Sequence, residues 1–409
     1  MGGAKRMMEE AQDRGFSLST NTHVCSTCMH QDGLKEFIDK NFGSNTCSYC
    51  RQTGKNIRAL NFNKLVEYIL ECIRTEWGDP ANEGLAYETR EGGWQGEVLD
   101  TYEILQDLIE IDNLEILRDI ASSILNGEWC QLDPYGLPYD RELVYGWKNF
   151  CSFVINRSRY LFLISKDNIY VGTEDSASIS PSEILDALAR IVEEMKLIRK
   201  IPSSQKIIRI RIFDPGEEAT TAKSLGSPPA QFAKIPNRMS PAGIPMFYGA
   251  FEEKTAVLET YLPTKKKKVG IGGVFKANRD LVVLDLSAGR YLPSIFDEID
   301  KRKRTSAKFL INFIKDFSKP IDREDRAHID YVPTQVVTEY FRHIFKLADG
   351  KSLDGIIYPS SKKGGKNAVV IFADTEHCVE RASKMADGAL LWLEKTIVID
   401  LEKYSKRKD

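Results

Sequence analysis

KIIRIRIFDPG (206–216), followed after a polar stretch by NRMSPAGIPMFYGAFEEKTAVLETY (237–261), is the part of the chain on which the rest turns. In the first piece Arg209 and Arg211 sit two apart in an alternating apolar and basic run, the pattern of a strand with both guanidinium groups on one face. Such a face suits an anion, because the planar guanidinium fork donates two parallel hydrogen bonds. In the second piece Pro241, Gly243 and Pro245 mark a turn, residues 246–251 read as a buried strand, and Glu259 follows within TAVLET. A carboxylate among apolar residues needs a partner or a task. Arginines for phosphate and a carboxylate for a developing oxocarbenium ion together suit cleavage of a nicotinamide dinucleotide at its glycosidic bond. The competing reading is a plain structural ion pair between one of the arginines and Glu259.

The order IRIR, RMSPAGIPMFYGA, TAVLET and, far downstream, LDGIIYPSS resembles the RES domain family, from near Arg209 to near Ala373. That resemblance implies a fold like the two-sheet core of ADP-ribosyltransferases and an NAD-degrading, toxin-type activity. Carried over, the family arginine falls on Arg209, with Arg211 as a rival because the register of IRIR is ambiguous by two. The family glutamate falls on Glu259 and its serine on Ser360, with Ser361 as the alternative. Arg238 and Tyr248 match a second basic residue and a tyrosine that line the pocket, and Gln335 matches a position where the family commonly has glutamine, with facing the pocket and core packing or a cap as the two readings. Met239 is a departure, since it stands where the family often carries an aromatic ring. By the same resemblance the polar, turn-rich segment 213–232 is expected to wrap the nucleotide pocket.

At 409 residues and 42% hydrophobic content the chain is long enough for two or three cores. Its formal charge of -2 gives no general attraction to nucleic acid, so any such contact would need a local patch. No apolar run approaches the roughly 18 residues of a membrane span, and the N-terminus lacks the apolar centre of a signal peptide, so a cytoplasmic location is expected. The basic runs 265–268 and 301–304 are expected to face solvent.

Cys25, Cys28, Cys47 and Cys50 form C-x2-C, eighteen residues, then C-x2-C. In a cytosolic chain this spacing reads as a four-thiolate zinc site. Four sulfurs close the coordination shell, so the expected role is structural. The other cysteines, at 72, 130, 151 and 378, read as small apolar residues.

Between 56 and 200 the apolar residues recur at helical spacing: Leu65, Tyr68, Ile69 and Cys72; then Leu114, Leu117 and Ala121; then Leu143, Trp147 and Val154. Ser180-Pro181-Ser182-Glu183 announces a further helix, through Leu188 and Val192. Behind a zinc knuckle, this segment resembles the HEPN-like module found before some RES domains. No histidine lies between His30 and His328, so the base that ribonuclease chemistry would require is missing.

The expected fold class is therefore α+β: a zinc knuckle (1–55), an all-helical HEPN-like module (56–200) and a mixed RES domain (201–409). The expected activity is cleavage of NAD, the acceptor being water, phosphate or a macromolecule. The expected setting is a homo-oligomer under an antitoxin or activating partner, with the front half holding the RES domain off. The rival class is a zinc-dependent nucleic-acid-binding or scaffold protein whose RES-like part is inactive.

Overall fold

The computed structural model describes residues 3–90, 92–160, 179–261, 268–319, 326–362, 366–383 and 386–405. Lys265, Lys266 and Lys267 of the first basic run lie outside them. The chain forms two compact units, Met1–Tyr139 with Leu292–Thr305, and Asp140–Tyr291 with Ser306–Asp409. Among the described residues no helix is long and apolar enough to cross a membrane.

The first unit is mainly helical. Helices Asp32–Asn41, Phe62–Ile73, Thr101–Leu108 and Leu114–Ser123 turn Leu34, Leu65, Ile69, Ile104, Leu117 and Ile120 onto a shared core. Asn61 and Asn113 start two of these helices by accepting from the backbone N–H two residues on, and Asp100 with Glu103 forms a full capping box. Short strands interrupt the helices: His23–Cys25 pairs with Ala59–Asn61, and Glu128–Gln131 pairs with Trp77–Gly78 and Leu99–Asp100.

Leu292–Thr305 belongs to this unit although it comes from far down the chain. Phe296 is wholly buried in the helical core, and Tyr68 Oη donates to its carbonyl at 2.9 Å. Gln31 Nε2 donates to Ser294 Oγ at 2.6 Å, and Lys40 pairs with Glu298 at 3.0 Å. The segment comes so close that a Cβ on Gly33 would lie 2.4 Å from Phe296 O, which is why position 33 carries none. The run 301–304 is correspondingly only partly solvated, with Arg302 exposed and its neighbours half-buried. Arg304 pairs with Glu76 at 2.7 Å, and Lys301 Nζ donates to the buried Cys72 Sγ at 3.6 Å.

The second unit is built on one nine-stranded sheet. Its strands are β1 (Ile198–Ile201), β2 (Ile207–Phe213), β3 (Phe247–Ala250), β4 (Val269–Ala277), β5 (Leu281–Asp285), β6 (Gly355–Pro359), β7 (Asn367–Ile371), β8 (Cys378–Glu380) and β9 (Leu391–Ile399). The spatial order is β8-β9-β4-β2-β3-β7-β6-β5-β1. Only β5–β6 and β8–β9 are parallel pairs. A two-sheet core is expected from the resemblance, and the sheet is continuous but weakly joined at its middle. β2 pairs with β4 through seven positions, from Val269↔Phe213 to Phe275↔Ile207, whereas β2 meets β3 at the single pair Ala250↔Ile208. Away from that pair the two strands share no ladder, and the halves of the sheet part along a seam.

Helices α1 (Tyr139–Asn156) and α2 (Glu183–Glu194) pack in this second unit. Trp147, Phe150 and Leu188 enter one core with Leu310 and Phe313 of α4 (Arg304–Phe317), and the Trp147 and Phe313 rings meet edge-on at 4.9 Å. The compact units thus divide at 139/140 rather than at 200/201, because the apolar faces of α1 and α2 find their partners here. The remaining helices that matter to the site are α3 (Glu253–Thr260), which follows β3 and precedes α4, and α5 (Val332–Glu339). Pro333 at the start of α5 suits a first helical turn, whose N–H groups have no partner inside the helix.

Candidate active site and metal centre

In the second unit a cleft of about 260 Å³ opens at the seam. It is lined by Ile208, Arg209 and Ile210 of β2 together with Tyr248 and Gly249 of β3, where the two strands part. Arg209 Nη1 donates to Tyr248 O at 2.9 Å, so its guanidinium crosses the seam. Its Nε is buried with no hydrogen-bond partner among the described residues. Burial, reinforced by the neighbouring Arg211, presses the guanidinium down to about 10.

Arg211, two residues on, does not line the cleft. Its Nη1 donates to Ser224 O at 2.6 Å, beside the short helix Ala222–Leu225. The two arginines thus differ in space: Arg209 faces the cleft and Arg211 holds the 221–225 turn. Segment 213–232, expected to wrap the pocket, contributes no lining residue.

Glu259 stands in the last turn of α3 and lines the same cleft. Ser360 Oγ donates to its Oε1 at 2.5 Å and also accepts from Lys362 N at 3.2 Å. Ser360 therefore spends its hydrogen on the carboxylate, while Ser361 and Lys362 present themselves to the cleft. Each serine has a place: Ser360 orients Glu259, and Ser361 lines the wall.

Arg238 and Tyr248 both line the cleft. Arg238 Nη1 donates to Phe317 O at 2.6 Å, and its guanidinium lies 5.7 Å from the centre of the Tyr331 ring. Tyr248 Oη is hydrogen-bonded to Ser240 Oγ at 2.9 Å, and burial pushes its phenol up to about 12. Gln335 is 7% exposed and is not among the lining residues. Its Nε2 donates to Asn237 O at 2.8 Å and Ser240 O at 3.3 Å, so it holds the loop that carries Arg238 instead of facing the pocket. Met239 is fully buried in the core of the unit.

Several lining residues escape the sequence reading: Asn237, Thr260, Tyr331, Tyr358 and Lys362. Tyr358 carried a usable signal, since it lies within the motif LDGIIYPSS two positions before Ser360, near the end of β6. Tyr331 carried none, because a tyrosine at the head of a helical stripe is indistinguishable from a core residue.

In the first unit the four cysteines converge. Their Sγ atoms all lie within 4.8 Å of one another. Cys25 to Cys28 is 3.5 Å, Cys25 to Cys50 is 3.6 Å, and Cys28 to Cys47 is 3.8 Å. Sulfurs about 2.3 Å from one tetrahedral ion stand about 3.8 Å apart, so the donor set fits a metal of that kind. Burial raises the Cys25 thiol, but hydrogen bonds from Thr27 and the other cysteines outweigh it and bring it to about 7. These four residues could hold a metal ion.

Residues 40–168 match the HEPN/RES N-terminal domain 1 family, and residues 208–393 match the RES domain family. The first match runs past the end of the first unit, and the second contains Leu292–Thr305, so the family boundaries do not follow the compact units. No curated protein and no solved structure matches the chain. With Arg209, Glu259 and Ser360 gathered at the seam of the matched region, the chain carries an RES domain behind a HEPN/RES N-terminal domain.

Proposed function

We propose that the protein cleaves the nicotinamide–ribose bond of NAD. The RES family is associated with NAD-related enzymatic activity, and the cleft has the charges this bond cleavage needs. The observation that carries the reading is the unsatisfied Arg209 in one cleft with a held Glu259. A buried guanidinium without its full set of partners is costly, and a diphosphate oxygen would complete that set. Lys362 and Arg238 add positive charge to the same cleft.

In the reaction the bond between ribose C1′ and nicotinamide N1 breaks, and its electron pair goes to N1, neutralising the pyridinium. Glu259, oriented by Ser360, stabilises the positive charge that develops on the ribose, and Tyr248 packs on the nicotinamide half. Placing fixed charge where charge develops is the main source of rate. Water then bonds to C1′ and releases a proton, giving ADP-ribose; phosphate as acceptor would give ADP-ribose 1″-phosphate.

The four-cysteine centre is proposed to hold zinc through Cys25, Cys28, Cys47 and Cys50, where the ion would tie the first unit's start together and supply no chemistry to the cleft. A toxin-type NADase would deplete its own host, so control by an antitoxin or activating partner belongs to the same proposal. The test is chromatography of NAD incubated with the purified full chain, with and without phosphate. Nicotinamide release in proportion to NAD loss supports the reading, and the second product names the acceptor. Intact NAD at enzyme concentrations equal to substrate overturns it.

A further inference from the structure

The Glu259–Ser360 hydrogen bond joins two elements remote in sequence, the end of α3 and the turn after β6. Something must hold them in reach of each other, and the strand ladder alone does not reach α3. Thr255 is one helical turn before Glu259 on α3 and is 1% exposed. Its Oγ1 accepts the backbone N–H of Lys366 at 3.0 Å. Lys366 O in turn accepts from Ser360 N at 2.8 Å. A chain of two hydrogen bonds therefore runs from α3 to the backbone of Ser360, and the Ser360 hydroxyl closes it on Glu259.

The other side of the turn is tied as well. Asn367 pairs with Pro359 in the β6–β7 ladder, and its Nδ2 donates to Ser287 Oγ at 2.8 Å. Ser287 Oγ donates to Asp285 Oδ1 at 2.5 Å, and Asp285, 2% exposed, pairs through its other oxygen with Arg199 at 3.1 Å. This second chain crosses from the turn to β5 and β1.

We infer that Thr255 and Asn367 are positioning residues that set the Glu259–Ser360 pair from opposite sides, Thr255 by tying the turn to the helix that bears the carboxylate, Asn367 by tying it to the sheet. The inference rests on the NAD-cleaving reading for its kinetic consequence and on geometry alone for its structural one. A carboxylate held within hydrogen-bond reach of its orienting serine is in place before substrate arrives, and loss of that placement raises the barrier without removing a binding contact. Neither residue lines the cleft, so substrate binding itself is left in place.

The test uses the full chain with Thr255→Val, Thr255→Ser and Asn367→Ala, each first checked for an unchanged folded fraction. Valine keeps the shape of threonine and removes the acceptor, while serine restores the acceptor. In NAD kinetics Thr255→Val is expected to lose on the order of tenfold to a hundredfold in kcat with KM nearly unchanged, and Thr255→Ser to recover most of it. A loss that appears in KM, or one that Thr255→Ser shares in full, overturns the positioning role. Asn367→Ala should follow Thr255→Val in kcat and likewise spare KM. Amide hydrogen exchange supplies the readout that does not depend on activity. The Lys366 amide should exchange at least tenfold faster in Thr255→Val than in the unmutated chain or Thr255→Ser. Unchanged protection there overturns the inference whether or not NAD is consumed, whereas faster exchange in a chain that leaves NAD intact upholds the brace and counts against the NAD reading alone.

Discussion

The cysteine centre and the cleft both gather polar groups, and they do so in opposite ways. The four thiols come from two knuckles within 25–50, each pair three residues apart, and they converge on one point, within 4.8 Å of one another. The cleft draws Arg209, Arg238, Glu259 and Lys362 from four separate elements and leaves Arg209 Nε without a partner among the described residues. A set of donors that one ion satisfies completely has no valence left for substrate, so it can stabilise a fold and do no chemistry. A set left incomplete by the protein is completed by a ligand, and it is there that binding energy can be spent on a reaction. The difference teaches that proximity of chemical groups is a poor guide to activity, and that unsatisfied capacity is a better one.

The comparison breaks first on the metal. If the four cysteines hold zinc as proposed, removing it with a strong chelator, or replacing Cys25 and Cys28 together by alanine, should unfold the start of the first unit, since structural zinc contributes about 10–16 kcal/mol to such sites. Circular dichroism with metal analysis checks this, and a metal-free chain that stays fully folded would dissolve the distinction.

Next in size is the plug at Phe296. Phe296→Ala empties a wholly buried site in the first unit and should cost about 3–5 kcal/mol of that unit's stability. Denaturant unfolding followed by Trp fluorescence reads the loss. A shift below about 1 kcal/mol, the size of an ordinary substitution, would mean that Leu292–Thr305 is a passive passenger.

The cleft is sharpened by Glu259→Gln, which keeps shape and removes charge. The rate of NAD cleavage should fall about 10²- to 10³-fold, equivalent to about 2.7–4 kcal/mol, while the melting temperature hardly moves. An unchanged rate would place Glu259 among structural groups, like the cysteines.

The smallest expected contrast is between the two arginines. Arg209→Ala should raise KM for NAD about tenfold or more, because it removes one of the cations that line the cleft. Arg211→Ala, whose partner is Ser224 O, should act mainly through the 221–225 turn and change KM less. Equal effects would show that the 209/211 assignment has no functional meaning.

Much of this was legible before any coordinates. The helical stripes at 65–72, 114–121 and 143–154 all form helices, because amphipathic spacing is a local property, and their residues are buried except Leu114, which is exposed at the helix start, and Ala121, which is half-buried. Strands 207–213 and 247–250 lie where alternation and an apolar run place them. The Ser180–Glu183 signal is half realised: Glu183 Oε2 accepts from Ser180 N at 2.9 Å, while Ser182, at the cap, makes no side-chain capping bond and is hydrogen-bonded instead to Ser180 Oγ at 3.0 Å. Gln335 illustrates the limit. Its motif position marked it as special, yet a glutamine that faces a ligand and one that holds a neighbouring loop have the same local sequence.

What the sequence by itself determined is whatever neighbouring residues decide among themselves: the four-thiol spacing, the helical and strand periods, and the order of motifs that belongs to an RES domain. Only the tertiary structure decided that Arg209 rather than Arg211 faces the cleft, that Ser360 turns its hydroxyl to Glu259, and that Leu292–Thr305 belongs to the first unit. The reason is physical. Residues at 209 and 211 share one face of β2 and have the same local energetics, so the choice between them falls to what lies opposite: the parted strand β3 for one, the 221–225 turn for the other. Likewise a phenylalanine at 296 can be buried only by a core formed some two hundred residues earlier, and no local pattern records which core that will be.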